Sequence, residues 1–491
     1  MKLSELAHVI GSHQLVGMKD PDVQSIEMDN RRVKPGALFV CIKGERFDGH
    51  DFAEDAVSKG AVALVAERQL PIAVPMIIVS DARRALPMIA DHFYGHPTSS
   101  LSLIGVTGTK GKTTVTHLIR AIQEEAGIPT GLVGTLGIHY KDHHEKVNNT
   151  TPESLDLQRS FRNMVDCQVP SAVMEVSSHA LVQGRVRGLD FNIAVFTNLT
   201  HDHLDYHGTM ENYLYAKSLL FSQLGNTYGT DRLKAAVLNQ DDEATAVLKK
   251  MTAVPVWTFG IDQSADFTAD HIEMTATGTR FTLKTPVGTH PVETKLVGKF
   301  NVYNILAACT ACFVNGINIE AILRAIEKME GVSGRFETVR SGQNFTVIVD
   351  YSHTPDSLKN ALIAIREVAS GRVITVVGCG GDRDRLKRPI MAKAAVDLSD
   401  VAIFTSDNPR TEDPDSIIED MKAGVSDGSY EAITDRRQAI ERAIGMACPN
   451  DVVLIAGKGH ETYQIIGEKV IDFDDREVAR NAIKERQNHG R

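Results

Sequence analysis

The chain reads as an α/β protein of three domains: a central P-loop-type, doubly wound, mostly parallel sheet, a C-terminal Rossmann-like α/β domain, and a smaller N-terminal α/β domain. Three observations predict this. Short apolar runs alternate with helical stripes, the pattern of βαβ units. A glycine-rich loop, Thr107-Gly108-Thr109-Lys110-Gly111-Lys112-Thr113-Thr114, stands between one such run and one such stripe. Two turn-rich segments, Gly95-His96-Pro97-Thr98-Ser99-Ser100 and Gly331-Val332-Ser333-Gly334, divide the chain into 1–97, 98–332 and 333–491.

Strands in the first domain are expected at Ala37–Ile42, Ala61–Ala66 and Pro75–Val79, with a helix over Ala82–Tyr94. The second domain opens on a buried run, Leu101–Val106. Its next stripe, Val115, Leu118, Ile119 and Ile122, has i, i+3, i+4, i+7 spacing, and Gly127 stops that helix. Further strands fall at Ala172–Val176, Ile193–Leu199 and Ala235–Leu238. The third domain repeats the style with Thr346–Asp350, Val373–Val377, Ala402–Thr405 and Val452–Ala456. There Thr354-Pro355 opens a helix whose stripe is Leu358, Ala361, Leu362 and Ile365.

At 491 residues the chain is too long for a single core. Its net charge of −10 argues against a general nucleic-acid or membrane-surface binder. No apolar run approaches the ~18 residues of a membrane span, and Met1–Asp20 lacks a signal-peptide core, so a cytoplasmic location is expected. The six cysteines are scattered, which argues against a disulfide framework. Cys309-Thr-Ala-Cys312 has redox-motif spacing, but it lies in the alanine-rich apolar helix Tyr303–Phe313 and reads as two small core residues.

The glycine loop is a phosphate cradle. Glycines let backbone N–H groups approach an anion, and the helix N-terminus behind them favours negative charge. Lys112 suits the outer phosphates and Thr113 a Mg²⁺ ion. The loop is short, because Val106 stands where the first glycine of the usual motif belongs. The competing reading is a plain glycine turn.

Other segments also leave strand ends, where open α/β sheets place their ligands. Glu175 ends the run Ala172–Val176 and is placed to hold a metal, or is simply an exposed carboxylate. Thr197-Asn198-Leu199-Thr200-His201-Asp202-His203-Leu204-Asp205-Tyr206-His207 is dense in histidine and carboxylate. Its donors by themselves point to Zn²⁺ or to a capped polar loop. Lys217 shares a helix face with Tyr213, Ala216 and Leu220. It either snorkels to water or, desolvated, loses its proton and can take up CO₂ as an anionic, metal-binding carbamate.

Gly378-Cys379-Gly380-Gly381-Asp382-Arg383-Asp384 fails the dinucleotide fingerprint, since Arg383 replaces the third glycine. With Arg385, Lys387 and Arg388 it suits a carboxylate or phosphate, or is a solvated basic turn. Asp407-Asn408-Pro409-Arg410 and Gly457-Lys458-Gly459-His460-Glu461 follow two further strands. Delivered to one sheet edge, Arg383, Arg410 and Glu461 could hold a zwitterion with an additional carboxylate.

Assembled, these segments resemble the Mur ligase family, and within it the member type that adds the third residue of the peptidoglycan stem peptide. The likeness also covers Asp29-Asn30-Arg31, Asn149-Thr150-Thr151-Pro152-Glu153-Ser154, Gly298-Lys299-Phe300-Asn301, Gly334-Arg335-Phe336-Glu337 and Asp350-Tyr351-Ser352-His353-Thr354-Pro355-Asp356. The resemblance implies an ATP-dependent amide ligase. It would add meso-diaminopimelate to UDP-MurNAc-L-Ala-D-Glu through an acyl phosphate in cytoplasmic peptidoglycan precursor synthesis. The three domains would bind the UDP sugar, ATP and the amino acid in turn, in a monomer with no nucleic-acid or membrane partner.

By motif match, Asn30, Asn149, Thr150, Thr151, Ser177, Gln183 and Arg185 would contact the UDP-MurNAc-dipeptide. Gly108, Thr109, Lys110, Gly111, Lys112, Thr113 and Thr114 would hold the ATP phosphates, with Asn301, Arg335, Asp350 and His353 on the nucleotide side. Lys112, Glu175, His203 and Lys217 would be catalytic. Thr113, Glu175, His203 and carbamylated Lys217 would bind Mg²⁺, so the family favours Mg²⁺ where the histidines alone point to Zn²⁺. Arg383, Asp407, Asn408, Pro409, Arg410, Gly457 and Glu461 would bind diaminopimelate, with Arg410 selecting it over lysine. Two positions depart from the family pattern. Asn30 stands where serine is frequent, and Lys110 where asparagine is. The rival readings are a folate glutamate ligase, a P-loop kinase or NTPase switch, and a non-catalytic sensor of wall precursors.

Overall fold

The computed structural model describes residues 1–44, 47–225, 232–426 and 430–489. The chain forms two compact units, Met1–Asp266 with Ala307–Ile322, and Phe267–Leu306 with Leu323–Arg491.

The first unit holds two sheets. The smaller contains β1 (Gln14–Val16), β2 (Ser25–Glu27), β3 (Ala37–Val40), β4 (Ala61–Ala66) and β5 (Met76–Ile78) in the order β1-β5-β4-β3-β2. All its pairings are parallel except that of β1 with β5. Alternation sorts its side chains. Leu38, Val40, Ala63 and Val65 pack with Leu86 and Ile89 of the helix Ala82–Phe93, while Phe39, Leu64 and Ala66 form a second core opposite.

The larger sheet of this unit contains β6 (Ser102–Thr107), β7 (Thr130–Gly134), β8 (Gly137–Tyr140), β9 (His143–Glu145), β10 (Ser171–Glu175), β11 (Ile193–Phe196), β12 (Ala235–Asn239) and β13 (Val256–Gly260). Its order is β13-β12-β11-β6-β10-β7-β8-β9. β6 pairs in parallel with both β10 and β11. The chain builds toward one side of β6 and then the other, so β6 marks the switch point where a ligand crevice is expected. β7 escapes sequence reading because glycines occupy Gly131 and Gly134. Close packing explains the first: a Cβ on Gly131 would lie 2.5 Å from Met164 Sδ. The strand expected to run to Leu199 ends at Phe196, because Thr197 and Asn198 turn onto the glycine loop.

The second unit begins with an antiparallel meander that the sequence reading lacks: β14 (Phe267–Thr275), β15 (Gly278–Thr285) and β16 (Gly288–Thr294). Its strands are largely solvated on one face, so they carry no continuous apolar run. The main sheet contains β17 (Glu337–Thr338), β18 (Thr346–Asp350), β19 (Val373–Cys379), β20 (Val401–Ser406), β21 (Tyr430–Ala432) and β22 (Val452–Ala456), ordered β17-β18-β22-β19-β20-β21. β18 to β22 run parallel, and helices cover both faces. The hairpin β23 (Tyr463–Ile466) and β24 (Lys469–Asp472) follows β22. Thr354 caps the helix Pro355–Val368 with a capping box, as the Thr-Pro pair predicts.

Cys309 and Cys312 are fully buried in the helix Lys299–Val314, and burial pushes both thiols up. They are core residues. Among the described residues, no helix is long and apolar enough to cross a membrane.

Candidate active site

The glycine loop joins β6 to the helix Lys112–Glu125, whose stripe of Val115, Leu118, Ile119 and Ile122 is buried. Gly108 has φ 150°, and a Cβ there would lie 1.9 Å from Thr197 Oγ1, so only glycine fits. The segment after β11 pins the loop. The Thr109 amide donates to Asn198 O at 2.8 Å, the Lys110 amide to Asn198 Oδ1 at 2.9 Å, and Thr197 Oγ1 to Lys110 O at 2.7 Å. Lys112 Nζ donates to the carbonyls of Gly108 and Thr109 at 2.8 and 2.9 Å, which centres the ammonium on the loop. Thr114 is buried in the first helical turn.

Glu175 joins this loop to the predicted substrate motif. Its Oε2 accepts from Thr113 Oγ1 at 2.9 Å, and its Oε1 from the Thr135 amide at 2.8 Å. Thr135 Oγ1 lies 3.1 Å from Thr150 Oγ1. Thr151 Oγ1 donates to Glu175 O at 2.8 Å and accepts from the Ser177 amide at 3.1 Å. Arg185 Nη1 donates to Thr151 O and Nη2 to Gln183 Oε1, at 2.9 and 2.6 Å. Glu175, Thr150, Thr151, Ser177, Gln183 and Arg185 therefore form one bonded array that starts at Thr113.

Three participants escaped the sequence reading. Thr135 lies just beyond the unrecognised β7. Glu153 pairs with Arg185 Nε at 3.1 Å and with Arg83 Nη1 at 3.7 Å. These two residues line a small cavity together with Met28, Ser154 and Gln183. Glu153 falls within a motif that assigns it no role, and Arg83 reads as any surface arginine. Asn30 bonds Asp55 Oδ2 at 2.7 Å, and Asn149 is exposed, so neither belongs to the array.

Lys217 is fully buried in the helix Met210–Ser222, and its Nζ donates to Gly108 O at 2.7 Å. Its ammonium also lies 4.3 Å from the Tyr213 ring centre. Burial, then the charge of Lys112, pushes its pKa well below the ordinary lysine value. His203 lies edge-on to His179 and to Tyr213, at 5.0 and 6.0 Å between ring centres. Burial lowers its pKa too, opposed by Asp202 and helped by Lys112, which favours the neutral ring that can ligate. A hydroxyl touching a carboxylate, an imidazole and an amine whose charged forms are disfavoured make a donor set that fits a divalent cation, once the amine carries a carboxyl group.

In the second unit, β22, β19 and β20 lie side by side, so their C-terminal ends share one edge. Asn408 is 2 % exposed, and its Nδ2 donates to Glu461 Oε2 at 2.8 Å. Buried Lys458 bonds both residues, at 3.1 Å to Asn408 Oδ1 and 3.0 Å to Glu461 Oε2. Asp407 abuts Gly457, where a Cβ would lie 2.7 Å from Asp407 Oδ2. Arg410 has φ 53°, and its Nη1 donates to Gly381 O at 2.8 Å. Pro409 O packs against Gly381, where an added Cβ would lie 1.9 Å away.

The basic loop is less available than its composition implies. Arg388 is fully buried between Glu412 and Asp420, Arg385 pairs with Asp420, and Lys387 donates to His353 O. Arg383 is exposed, and its Nη1 bonds only a local carbonyl, Asp382 O.

The residues expected on the nucleotide side lie within the same unit. Asp350 Oδ1 accepts from the Phe336 amide at 2.7 Å, and the Arg335 guanidinium lies 4.9 Å from the Tyr351 ring centre. Tyr351 also lies tilted against His353 and His460, at 4.5 and 4.9 Å between ring centres. Gly334 has φ 64°, and a Cβ there would come within 1.9 Å of the His460 nitrogen. Asn301 is buried, its Nδ2 donating to Val297 O at 2.9 Å.

Three family models match the chain: the Mur ligase middle domain over 106–312, the Mur ligase glutamate ligase domain over 334–459, and the Mur ligase family catalytic domain over 22–94. The UDP-N-acetylmuramoyl-L-alanyl-D-glutamate–2,6-diaminopimelate ligase of Geobacillus thermodenitrificans is 60% identical over 470 residues, covering 95% of this chain and 96% of that protein. Its Bacillus cereus namesake is 53% identical over 489 residues and covers both chains fully. A solved structure of a ligase of the same name aligns with TM-score 0.72 at 34% identity, over 98% of this chain and 99% of that one. By its three-domain α/β fold and its full-length likeness to these ligases, the chain belongs to the Mur ligase family.

Proposed function

We infer that the chain is the ATP-dependent ligase that joins diaminopimelate to UDP-MurNAc-L-Ala-D-Glu in peptidoglycan precursor synthesis. Relatives of that name, 53–60% identical over nearly the whole chain, support the assignment. The observation that carries the chemistry is Glu175, which bonds the phosphate-loop Thr113 on one side and adjoins the Thr150–Thr151 motif on the other. A carboxylate substrate anchored by Thr150, Thr151, Ser177, Gln183 and Arg185 is thereby held beside the nucleotide phosphates. Approximation of this kind can supply about 7–11 kcal/mol of barrier lowering.

The steps then follow. The D-Glu side-chain carboxylate attacks the γ-phosphorus, ADP leaves, and an acyl phosphate forms. Lys112 and those loop amides not already bonded to Asn198 face the charge that spreads over the transferring group. Thr113, Glu175, His203 and carbamylated Lys217 are the residues that would hold Mg²⁺, which supplies further charge neutralisation when bound. The diaminopimelate amine then displaces phosphate and forms the amide. Arg410 and Arg383 would face its carboxylates, and Asp407 and Glu461 its ammonium groups.

Residues 1–97, 98–332 and 333–491 would be the sugar-nucleotide, ATP and amino-acid domains of a cytoplasmic monomer. The test is product formation from ATP and UDP-MurNAc-L-Ala-D-Glu with diaminopimelate, lysine or folate offered in turn. Amide formation with diaminopimelate alone is expected. Phosphate release independent of any amino acid would instead mark a hydrolase or kinase.

A further inference from the structure

Behind the edge that carries Arg410 and Glu461 lies an ion pair with no contact to solvent. Arg436 and Asp475 are 1 % and 0 % exposed. The contact is bidentate, Nε to Oδ1 at 2.8 Å and Nη2 to Oδ2 at 2.7 Å. Each residue opens a helix, Arg436–Met446 and Asp475–His489. The guanidinium has further N–H groups to satisfy, and two of them reach strand-end carbonyls. Nη1 donates to Ser406 O at 3.4 Å and Nη2 to Ala456 O at 3.1 Å.

Those two carbonyls locate the pair. Ser406 is the last residue of β20, and Asp407 to Arg410 follow it directly. Ala456 is the last residue of β22, and Gly457 to Glu461 follow. β20 and β22 are not hydrogen-bonded to each other, because β19 lies between them. The turns beyond are joined by Asn408 to Glu461 and by the Arg410 amide to Ile465 O, but the two strand ends themselves meet only across β19, and the guanidinium ties them there. Stability alone is a weak account of such a pair. Buried ion pairs replaced by apolar residues of similar volume are often neutral or stabilising. A planar donor fork that spans two carbonyls, by contrast, has a geometric job that no apolar pair performs.

We propose that Arg436, oriented by Asp475, is a positioning residue for the amino-acid site: it sets the spacing between the turn bearing Arg410 and the turn bearing Glu461. The inference rests on reading that edge as the diaminopimelate site. Groups that recognise a small zwitterion lose affinity when displaced by a fraction of an ångström, so a slackened tie acts on this substrate first.

The test compares the intact chain with R436M/D475L, an apolar pair of similar bulk. KM for diaminopimelate should rise about tenfold or more, with KM for ATP and for UDP-MurNAc-L-Ala-D-Glu unchanged. Preference for diaminopimelate over lysine should fall, and the thermal midpoint should stay near that of the wild type. R436K retains the charge but not the fork, and should restore part of the diaminopimelate KM. A folded R436M/D475L enzyme with wild-type KM for all three substrates would overturn the proposal. If that double variant does not fold, R436K decides: a raised KM for diaminopimelate alone supports the tie, and an unchanged one refutes it. Wild-type enzyme that ignores diaminopimelate would instead overturn the functional reading.

Discussion

Lys217 Nζ donates to Gly108 O at 2.7 Å, so a fully buried amine is bonded to the backbone of the phosphate loop. The Tyr213 ring and Asp202 favour the charge, but burial and the repulsion of Lys112 outweigh them. The protein thus holds a lysine where its ammonium form is disfavoured, a stability cost borne at a functional site.

Lys217→Met should therefore inactivate and stabilise at once. Turnover should fall about 10²-fold or more, as when an electrostatic group of the site is lost. The sign for stability follows from linkage. The folded pKa lies below the ordinary 10.5, so below pH 10.5 the unfolded chain binds a proton that the folded site resists. The wild type is penalised at neutral pH, and the penalty fades as pH approaches 10.5. Calorimetry at pH 7.5 should show a higher midpoint for the methionine variant, with the gap narrowing toward alkaline pH. A lower midpoint at pH 7.5 would mean that the amine is charged and paired.

Arg410→Ala should cost about 2 kcal/mol or more in kcat/KM for diaminopimelate, roughly thirtyfold, as when one member of a hydrogen-bonded charge pair is truncated. Arg410→Lys should recover little, because a point charge does not reproduce the fork. Steady-state kinetics with ATP and the UDP sugar saturating checks both, and unchanged kcat/KM would remove Arg410 from the specificity site.

His460 makes the second unit acid-sensitive. Burial pushes its imidazole down to about 4, with Arg335, Arg476, Lys458 and His353 adding repulsion. Between pH 6.5 and 4 the unfolded chain takes a proton that the folded one refuses, so stability falls as pH drops through that window. His460→Gln should flatten the fall by an amount of order 2 kcal/mol. Urea unfolding at pH 7 and pH 4.5 measures it, and equal pH dependence in both proteins would contradict the assignment.

Gly334→Ala should disturb the second unit. At φ 64° its Cβ would strike the His460 backbone at 1.9 Å and Gly459 C at 2.2 Å. Left-handed strain and displacement of that turn together should cost about 2–4 kcal/mol. Because the displaced turn carries Glu461, diaminopimelate KM should rise as well. A variant with wild-type stability would show that the two segments are not in firm contact.

Legibility differed by residue for physical reasons. Parallel strands buried on both faces announce themselves as apolar runs, and β4, β18 and β22 begin and end where the composition places them. β7 and the meander β14–β16 do not. Glycines thin the first, and the second is mostly half-solvated. The phosphate loop, Glu175 and Lys217 were legible because each pairs an unusual residue with a strand end or an apolar helix face. Thr135 and Arg83 were not, since their roles exist only through partners distant in sequence. Arg385 and Arg388 show the converse. Both look like ligand arginines in sequence, yet carboxylates of the same unit hold them.

The central claim is that the substrate carboxylate is phosphorylated before the amine attacks. UDP-MurNAc-L-Ala-D-Glu labelled with ¹⁸O in the D-Glu side-chain carboxylate, incubated with ATP and diaminopimelate, tests it directly. The account predicts one ¹⁸O atom in the released phosphate for each amide formed. Phosphate free of label, with the displaced ¹⁸O recovered in water instead, would contradict it.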